Sequence, residues 1–187
     1  MNIITKPAIA ETEEKASRFL CEIVPYDQFE GRLEELRILH PKANHHVTAI
    51  RYLDEGQIIE RGRDDGEPSG TSGMPSLRVL QGADLINVGA IITRYFGGTK
   101  LGTGGLARAY AAAVNAAVAV AEIEPYLEHE DFEIQMSFSR SEKIERFLSL
   151  HPEITVERAY TEGGVLFSLN APKPVIKTLK EELDYHD

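Results

Sequence analysis

Apolar and polar positions recur along this chain with periods that change from element to element, and those changes mark the boundaries. After a polar start, Phe19, Cys21 and Ile23 alternate with other residues, which predicts a strand over Ala16 to Val24. Asp27 and Glu30 have capping-box spacing, Phe29, Leu33 and Leu36 follow at helical spacing, and Pro41 marks a stop. Two β-rich pieces, Val47 to Leu53 and Gln57 to Arg61, flank the turn residues Asp54, Glu55 and Gly56. Asp64 to Ser76 is dense in Gly and Pro and reads as loop, with a short amphipathic helix from about Ser76 to Gln81. Leu85 to Phe96 is β-branched and almost continuously apolar, the pattern of a buried central strand. A glycine-dense turn, Gly97 to Gly105, leads into an alanine-rich helix reaching about Glu122. Leu106, Tyr110, Val114, Ala117 and Ala121 share one side of that helix, and Arg108, Asn115 and Glu122 form one narrow polar stripe, so most of it is expected to be buried.

Pro125 marks a boundary between two domains, 1–124 and 125–187. Beyond it Phe132, Ile134, Met136 and Phe138 alternate with polar residues as a half-buried strand. Ser139 and Glu142 again have capping-box spacing, before a helix that turns Ile144, Phe147 and Leu148 inward. Strands over Ile154 to Tyr160 and Val165 to Leu169 meet at Gly163 and Gly164, and a last helix carries Val175 or Ile176, Leu179 and Leu183. The order strand, helix, strand, strand, helix is most of a ferredoxin-like unit, with its final strand missing or reduced to residues 184–187. The fold class is α+β in two domains.

Charge narrows the partners. The chain of 187 residues carries 20 basic and 30 acidic side chains, a formal net charge of −10. Residues 1–124 hold 13 basic against 17 acidic groups and 125–187 hold 7 against 13, so neither half is basic. A generic nucleic-acid coat would carry the opposite sign, and any such contact is a local patch. The single cysteine, Cys21, excludes an intramolecular disulfide and a multi-cysteine metal site. No run approaches the ~20 apolar residues that span a bilayer, and the N-terminus has no signal-peptide core, so a soluble cytoplasmic protein without membrane contact is expected.

Two constellations carry chemistry. Between Leu85 and Arg108 there are three basic and no acidic residues. Lys100 and Arg108 lie beside a helix start, where the dipole disfavours cations and favours anions. Arg94, Lys100 and Arg108 are therefore candidate phosphate contacts. Gly97, Gly98, Gly102, Gly104 and Gly105 would let backbone approach the anion, and Tyr95 or Phe96 would stack on a base. Alternatively the glycines only permit a tight turn and close packing, and the aromatics are core. The relaxed dinucleotide pattern at Gly102 to Ala107 sits too far from its strand, and no P-loop triplet occurs. The second constellation is Asp64, Asp65 and Glu67, with Ser69 beside them, which would serve as base or Mg²⁺ ligand, or would simply cap turns. Gly70-Thr71-Ser72-Gly73 places Met74 where a nucleophile elbow needs glycine. The adjacent His45 and His46 point to opposite faces of a strand and cannot chelate together. Cys21 reads as a buried, inert thiol.

The segments DDGEPSGTSGMP and NVGAIITRYFGGTKLGTGGLARAY, spanning Asp64 to Tyr110, closely resemble the signature of the IMPACT/YigZ family. The resemblance implies an N-terminal domain like domain two of ribosomal small-subunit protein five and domain four of elongation factor G. It also implies a ferredoxin-like C-terminal domain resembling the last domain of elongation factor G. Eukaryotic relatives are translation regulators that restrain starvation signalling to an initiation-factor kinase, partly through an extra N-terminal domain. This chain starts at the core domain, so that kinase role is not expected here. The expectation is a non-catalytic, translation-associated regulator that binds the ribosome or a structured RNA, with no cofactor and no metal. A basic protein partner for the acidic C-terminal domain is a further expectation. The competing expectation is an enzyme on a small phosphorylated or anionic substrate.

Overall fold

The most continuous apolar run of the chain lies at the centre of the larger sheet. In this computed structural model, which describes residues 1–183, the elements of the first half are β1 (Asn2–Ile4), β2 (Ala8–Glu14), β3 (Ser17–Pro25), α1 (Tyr26–Leu39), β4 (His45–Asp54), β5 (Gln57–Arg63), α2 (Gly73–Gly82), β6 (Val88–Tyr95), α3 (Gly102–Ala119) and β7 (Ile123–Pro125). The second half holds β8 (His129–Met136), α4 (Phe138–Leu150), β9 (Thr155–Thr161), β10 (Gly164–Pro172) and α5 (Lys173–Glu182). The chain divides between Tyr126 and Leu127 into two units. The division follows β7, because β7 pairs with β1 and belongs to the first unit. With helices and sheets in both units, the fold class is α+β, as the periodicities predict. Among the described residues no helix is long and apolar enough to cross a membrane.

In the first unit the sheet order is β2-β3-β6-β4-β5, antiparallel throughout. Its central strand β6 is buried on both faces. Ala90 and Ile92 face α2 and α3, packing with Phe19, Cys21, Val47, Leu77, Leu80, Leu106, Tyr110 and Val114. Ile91 faces α1, where Phe29, Leu33 and Leu36 close over Val24 and Ile50. Ala109, Ala113 and Ala117 of α3 are buried, and these small side chains let the helix lie close on β2 and β3. Cys21 is fully buried, and burial pushes its thiol far above the ordinary range, so it is the inert thiol expected.

Several boundaries differ from the pattern. The polar start holds β1 and β2; β2 escapes notice because its inward residues are small, Ala8 and Ala10 against Glu11 and Glu13, and it lies at a sheet edge. Ala16 is not strand but turn: Lys15 and Ala16 both have positive φ, 48° and 63°, as a two-residue hairpin requires. Asp27 is not an N-cap. The cap position is two residues earlier, at Pro25, and the Tyr26 N–H donates to the Asn87 carbonyl instead. Ser139 likewise lies inside α4, which begins after Ser137 with no side-chain cap. The central strand starts at Val88, because Asn87 has φ of 53° and turns Leu85 and Ile86 into a buried bend. Helix α3 begins at Gly102, so Gly102, Gly104 and Gly105 are its first turn and not a preceding loop, and it ends before Ala121.

The second unit has the sheet order β8-β10-β9, antiparallel, with a core of Phe132, Ile134, Ile144, Phe147, Phe167, Leu169, Ile176 and Leu179. This is the ferredoxin-like arrangement of five elements. The final strand expected at residues 184–187 lies outside the described residues.

Candidate functional site

Asp64 organises the loop that follows β5. Its carboxylate accepts from the Gly70, Ser72 and Gly73 N–H groups, at 2.8, 3.0 and 2.8 Å, and from Ser72 Oγ at 2.7 Å. Ser72 supplies no side-chain cap to α2, so Asp64, nine residues upstream of Gly73, does that work. Burial alone would raise this carboxyl group, but the four hydrogen bonds outweigh it and hold Asp64 below the ordinary carboxylate range. Asp65, at φ 49°, accepts from the His46 N–H at 2.6 Å, and its carbonyl accepts from His45 Nδ1 at 2.8 Å. That carbonyl can only accept, so His45 carries its proton on Nδ1. Ser69 is exposed.

Glu67 turns inward and is 8% exposed. Its Oε1 accepts from Tyr110 Oη at 2.7 Å and pairs with Arg94 Nη1, and His45 Nε2 lies 3.8 Å away. Arg94 is 4% exposed. Its Nη2 reaches Ser17 Oγ at 3.4 Å, and the guanidinium lies 5.4 Å from the Phe19 ring centroid and 5.7 Å from that of Phe96. Ser17 Oγ also accepts from the Gly97 N–H at 3.1 Å. The acidic loop and the glycine turn are thus joined through one buried network, Glu67 to Arg94 to Ser17 to Gly97. Burial first, and the Glu67 hydrogen bond and charge second, push the Tyr110 phenol far above its ordinary value, so it stays a donor.

This placement corrects one expectation about roles. Arg94 is not a surface phosphate contact; its charge is spent on Glu67 inside the first unit. The carboxylates of Asp64, Asp65 and Glu67 each accept from protein donors, four on Asp64, the His46 N–H on Asp65, and Arg94 and Tyr110 on Glu67. The sequence pattern gave no hint of Ser17, His45 or Tyr110 as partners here. Tyr110 reads as core on helical spacing, and only its hydroxyl's contact distinguishes it. His45 and His46 do lie on opposite faces: His45 pairs in register with Arg94, while the His46 ring turns to Thr93 Oγ1 at 3.1 Å. Burial is the main cause that lowers His46, with Asp65 opposing.

Above the network lies an exposed surface made of Phe96, Gly98, Lys100, Gly102, Gly104 and Arg108. Gly98 and Gly102 have φ of 84° and 72°, with open space where a side chain would stand. The first turn of α3 holds no acidic residue and receives no side-chain cap. No ion pair of the described residues includes Lys100 or Arg108. Arg108 is not in an acid-free setting, however. It borders a cleft of about 260 Å³ whose other wall is Thr12, Glu13 and Glu14 of β2. Tyr95 is half-buried, and its hydroxyl hydrogen-bonds His40 Nδ1 at 2.8 Å.

Gly97 and Gly105 serve packing. A Cβ on Gly105 would meet Leu101 Cβ at 3.1 Å, and one on Gly97 would lie 2.1 Å from the Ala16 carbonyl carbon. Gly97→Ala must therefore displace the β2–β3 hairpin, and we expect it to destabilise by about 3 kcal/mol in urea unfolding. Gly98→Ala meets no neighbour and should lose only about 1–2 kcal/mol, from its left-handed backbone.

Comparison with known proteins agrees across both units. The family model of the Impact N-terminal domain matches residues 15–118. A protein of Haemophilus influenzae described as an IMPACT family member is 30% identical over 190 residues, covering 97% of this chain and 90% of its own. An IMPACT family member of Thermus thermophilus is 33% identical over 171 residues, covering 88% of this chain and 92% of its own. YigZ of Escherichia coli, an IMPACT family member, is 39% identical over 117 residues, covering 60% of this chain and 57% of its own. A crystal structure of a hypothetical protein superposes with a TM-score of 0.71 at 28% identity, over 97% of this chain and 90% of that one.

Proposed function

The chain belongs to the IMPACT family, and on that premise we propose that it is a non-catalytic, translation-associated regulator acting in the cytoplasm, which binds the ribosome or a structured RNA through the exposed turn 96–104. The observation that carries the reading is the start of α3. There, uncapped N–H groups, the positive end of the helix dipole and the exposed Lys100 converge on a surface with no acidic residue in the helix's first turn. Backbone N–H groups at a helix start and a lysine are donors that suit a phosphate oxygen. The body of the protein is acidic, so the contact is one patch and not a coat.

Two further features support it. The carboxylates that an anion-processing enzyme would use as base or Mg²⁺ ligand already accept from the Gly70, Ser72, Gly73, His46, Arg94 and Tyr110 donors. The network beneath the turn also holds Gly97 in place, so the phosphate-facing backbone is preorganised. In the second unit a cleft of about 420 Å³ is lined in part by Asp131, Glu133 and Glu157, an acidic place for a basic protein partner to meet.

Co-sedimentation with ribosomes over a salt series tests the proposal. Lys100→Glu should lower affinity at least about tenfold and reduce the salt slope by about 1, with an unchanged unfolding midpoint. Arg108→Glu should do less, because Glu13 and Glu14 already share its surroundings. Equal binding of wild type and Lys100→Glu would overturn the assignment of this surface.

A further inference from the structure

Two aromatic residues stand at the turn, and the structure treats them differently. Tyr95 has its hydroxyl bonded to His40, with Arg18 5.9 Å from its ring centroid, and it is half-buried. Phe96 is 46% exposed. Exposure of a single aromatic ring says little. Its surroundings say more. The Phe96 N–H donates to Asn44 Oδ1 at 2.8 Å and the next N–H, of Gly97, to Ser17 Oγ at 3.1 Å, so the backbone bearing the ring is held at two successive residues. The buried Arg94 guanidinium lies within cation–π distance of the ring. Arg94 Nε is the one buried side-chain nitrogen or oxygen, among the described residues, that has no hydrogen-bond partner.

We propose that Phe96 is a stacking platform for an unpaired RNA base, so that this surface reads single-stranded nucleotides or a base splayed out of a structured RNA. The inference rests on the reading of the turn as RNA-binding and names the RNA state it selects. A ring backed by a buried cation and fixed by its backbone offers its exposed part to a ligand with little ordering left to lose. Bases are π-faced and stack on such a ring, whatever their identity, only when they are not already stacked inside a duplex. Gly98 and Gly102 have nothing within 4 Å of a Cβ position, and Gly104 meets only Arg108 Nη1 at 3.5 Å, so the turn that follows the ring is open at these positions. Lys100 is four residues along the same turn and exposed, placed to take the phosphate of the stacked nucleotide. Arg94 contributes from beneath, as the positioning residue of the ring, and not as a phosphate ligand.

The test uses the full chain with two probes at low salt. One is a 12-nucleotide oligoadenylate carrying one 2-aminopurine, and the other is a 12-base-pair RNA duplex. Wild type should bind the single strand more tightly than the duplex and quench the 2-aminopurine. Phe96→Leu keeps apolar volume but loses the π-face, and should weaken single-strand binding by about 5- to 150-fold and abolish the quench, with duplex binding unchanged. Phe96→Tyr should retain both, which separates the ring's role from any loss of folding. Lys100→Glu should weaken both probes. If Phe96→Leu binds the single strand within about twofold of wild type while Lys100→Glu still loses binding, stacking is overturned and the RNA reading stands. If wild type binds neither probe nor ribosomes, the RNA reading fails and the stacking fails with it.

Discussion

Glu67→Ala is expected to destabilise the first unit by about 3–5 kcal/mol, the largest effect of any single truncation in the loop. The substitution removes the carboxylate that pairs with Arg94 and accepts from Tyr110 Oη at 2.7 Å. It leaves a guanidinium that is 4% exposed with Ser17 Oγ, at 3.4 Å, as its remaining hydrogen-bond acceptor, and Phe19 and Phe96 as its remaining ring neighbours. Desolvation of an unpaired charge dominates that loss, not the pairing energy itself. Arg94→Met in the Glu67→Ala background should therefore recover a good part of the stability, although Arg94→Met alone should also destabilise. Urea unfolding of the four proteins gives the coupling energy directly. A loss below about 1 kcal/mol for Glu67→Ala would show that the buried pair is not what ties the loop to the sheet.

Asp64→Ala should cost about 2–4 kcal/mol and, unlike most substitutions, its cost should depend on pH. Three backbone N–H groups and one hydroxyl lose their acceptor, and the start of α2 loses its cap. The sign follows from linkage. Asp64 titrates lower in the folded chain than in the unfolded one, where a carboxyl group takes its ordinary value of about 4. Its charged-state contribution is fully present above that value and disappears as pH falls through the folded one. The gap between wild type and Asp64→Ala should thus be constant from about pH 5 to 8 and narrow as the solution is acidified below about pH 4. A gap that widens on acidification would contradict the capping role.

Much of the fold is legible in the order of residues. The β6 run is apolar on both faces because both faces are covered, and the alternation in β8 and β10 reports a sheet with one face packed. The buried stripe of α3 follows from its alanines and from Leu106, Tyr110 and Val114. What failed were features whose signal is weak or shared. β2 alternates small residues with acids, and Asp27 and Ser139 have capping spacing without capping. Each helix start depends on how the chain leaves the preceding strand, and a three-residue spacing does not record that.

The candidate surface divides along the same line. Sequence alone determined the two-unit α+β organisation, the acidic body, and a glycine turn whose three basic residues stand without a local acid, because these follow from periodicity and from counts of neighbours in the chain. Only the tertiary structure decided which of those basic residues can meet a ligand. Arg94 lies in register with His45 and shares Glu67 Oε1 with the Tyr110 hydroxyl, so Glu67, 27 residues upstream, neutralises it inside the unit. Arg108 faces Glu13 and Glu14 across a cleft, from a strand almost a hundred residues away in sequence. Lys100 is exposed, and among the described residues no ion pair includes it. Electrostatic interaction falls with distance in space and takes no account of distance along the chain, so a composition window cannot report it.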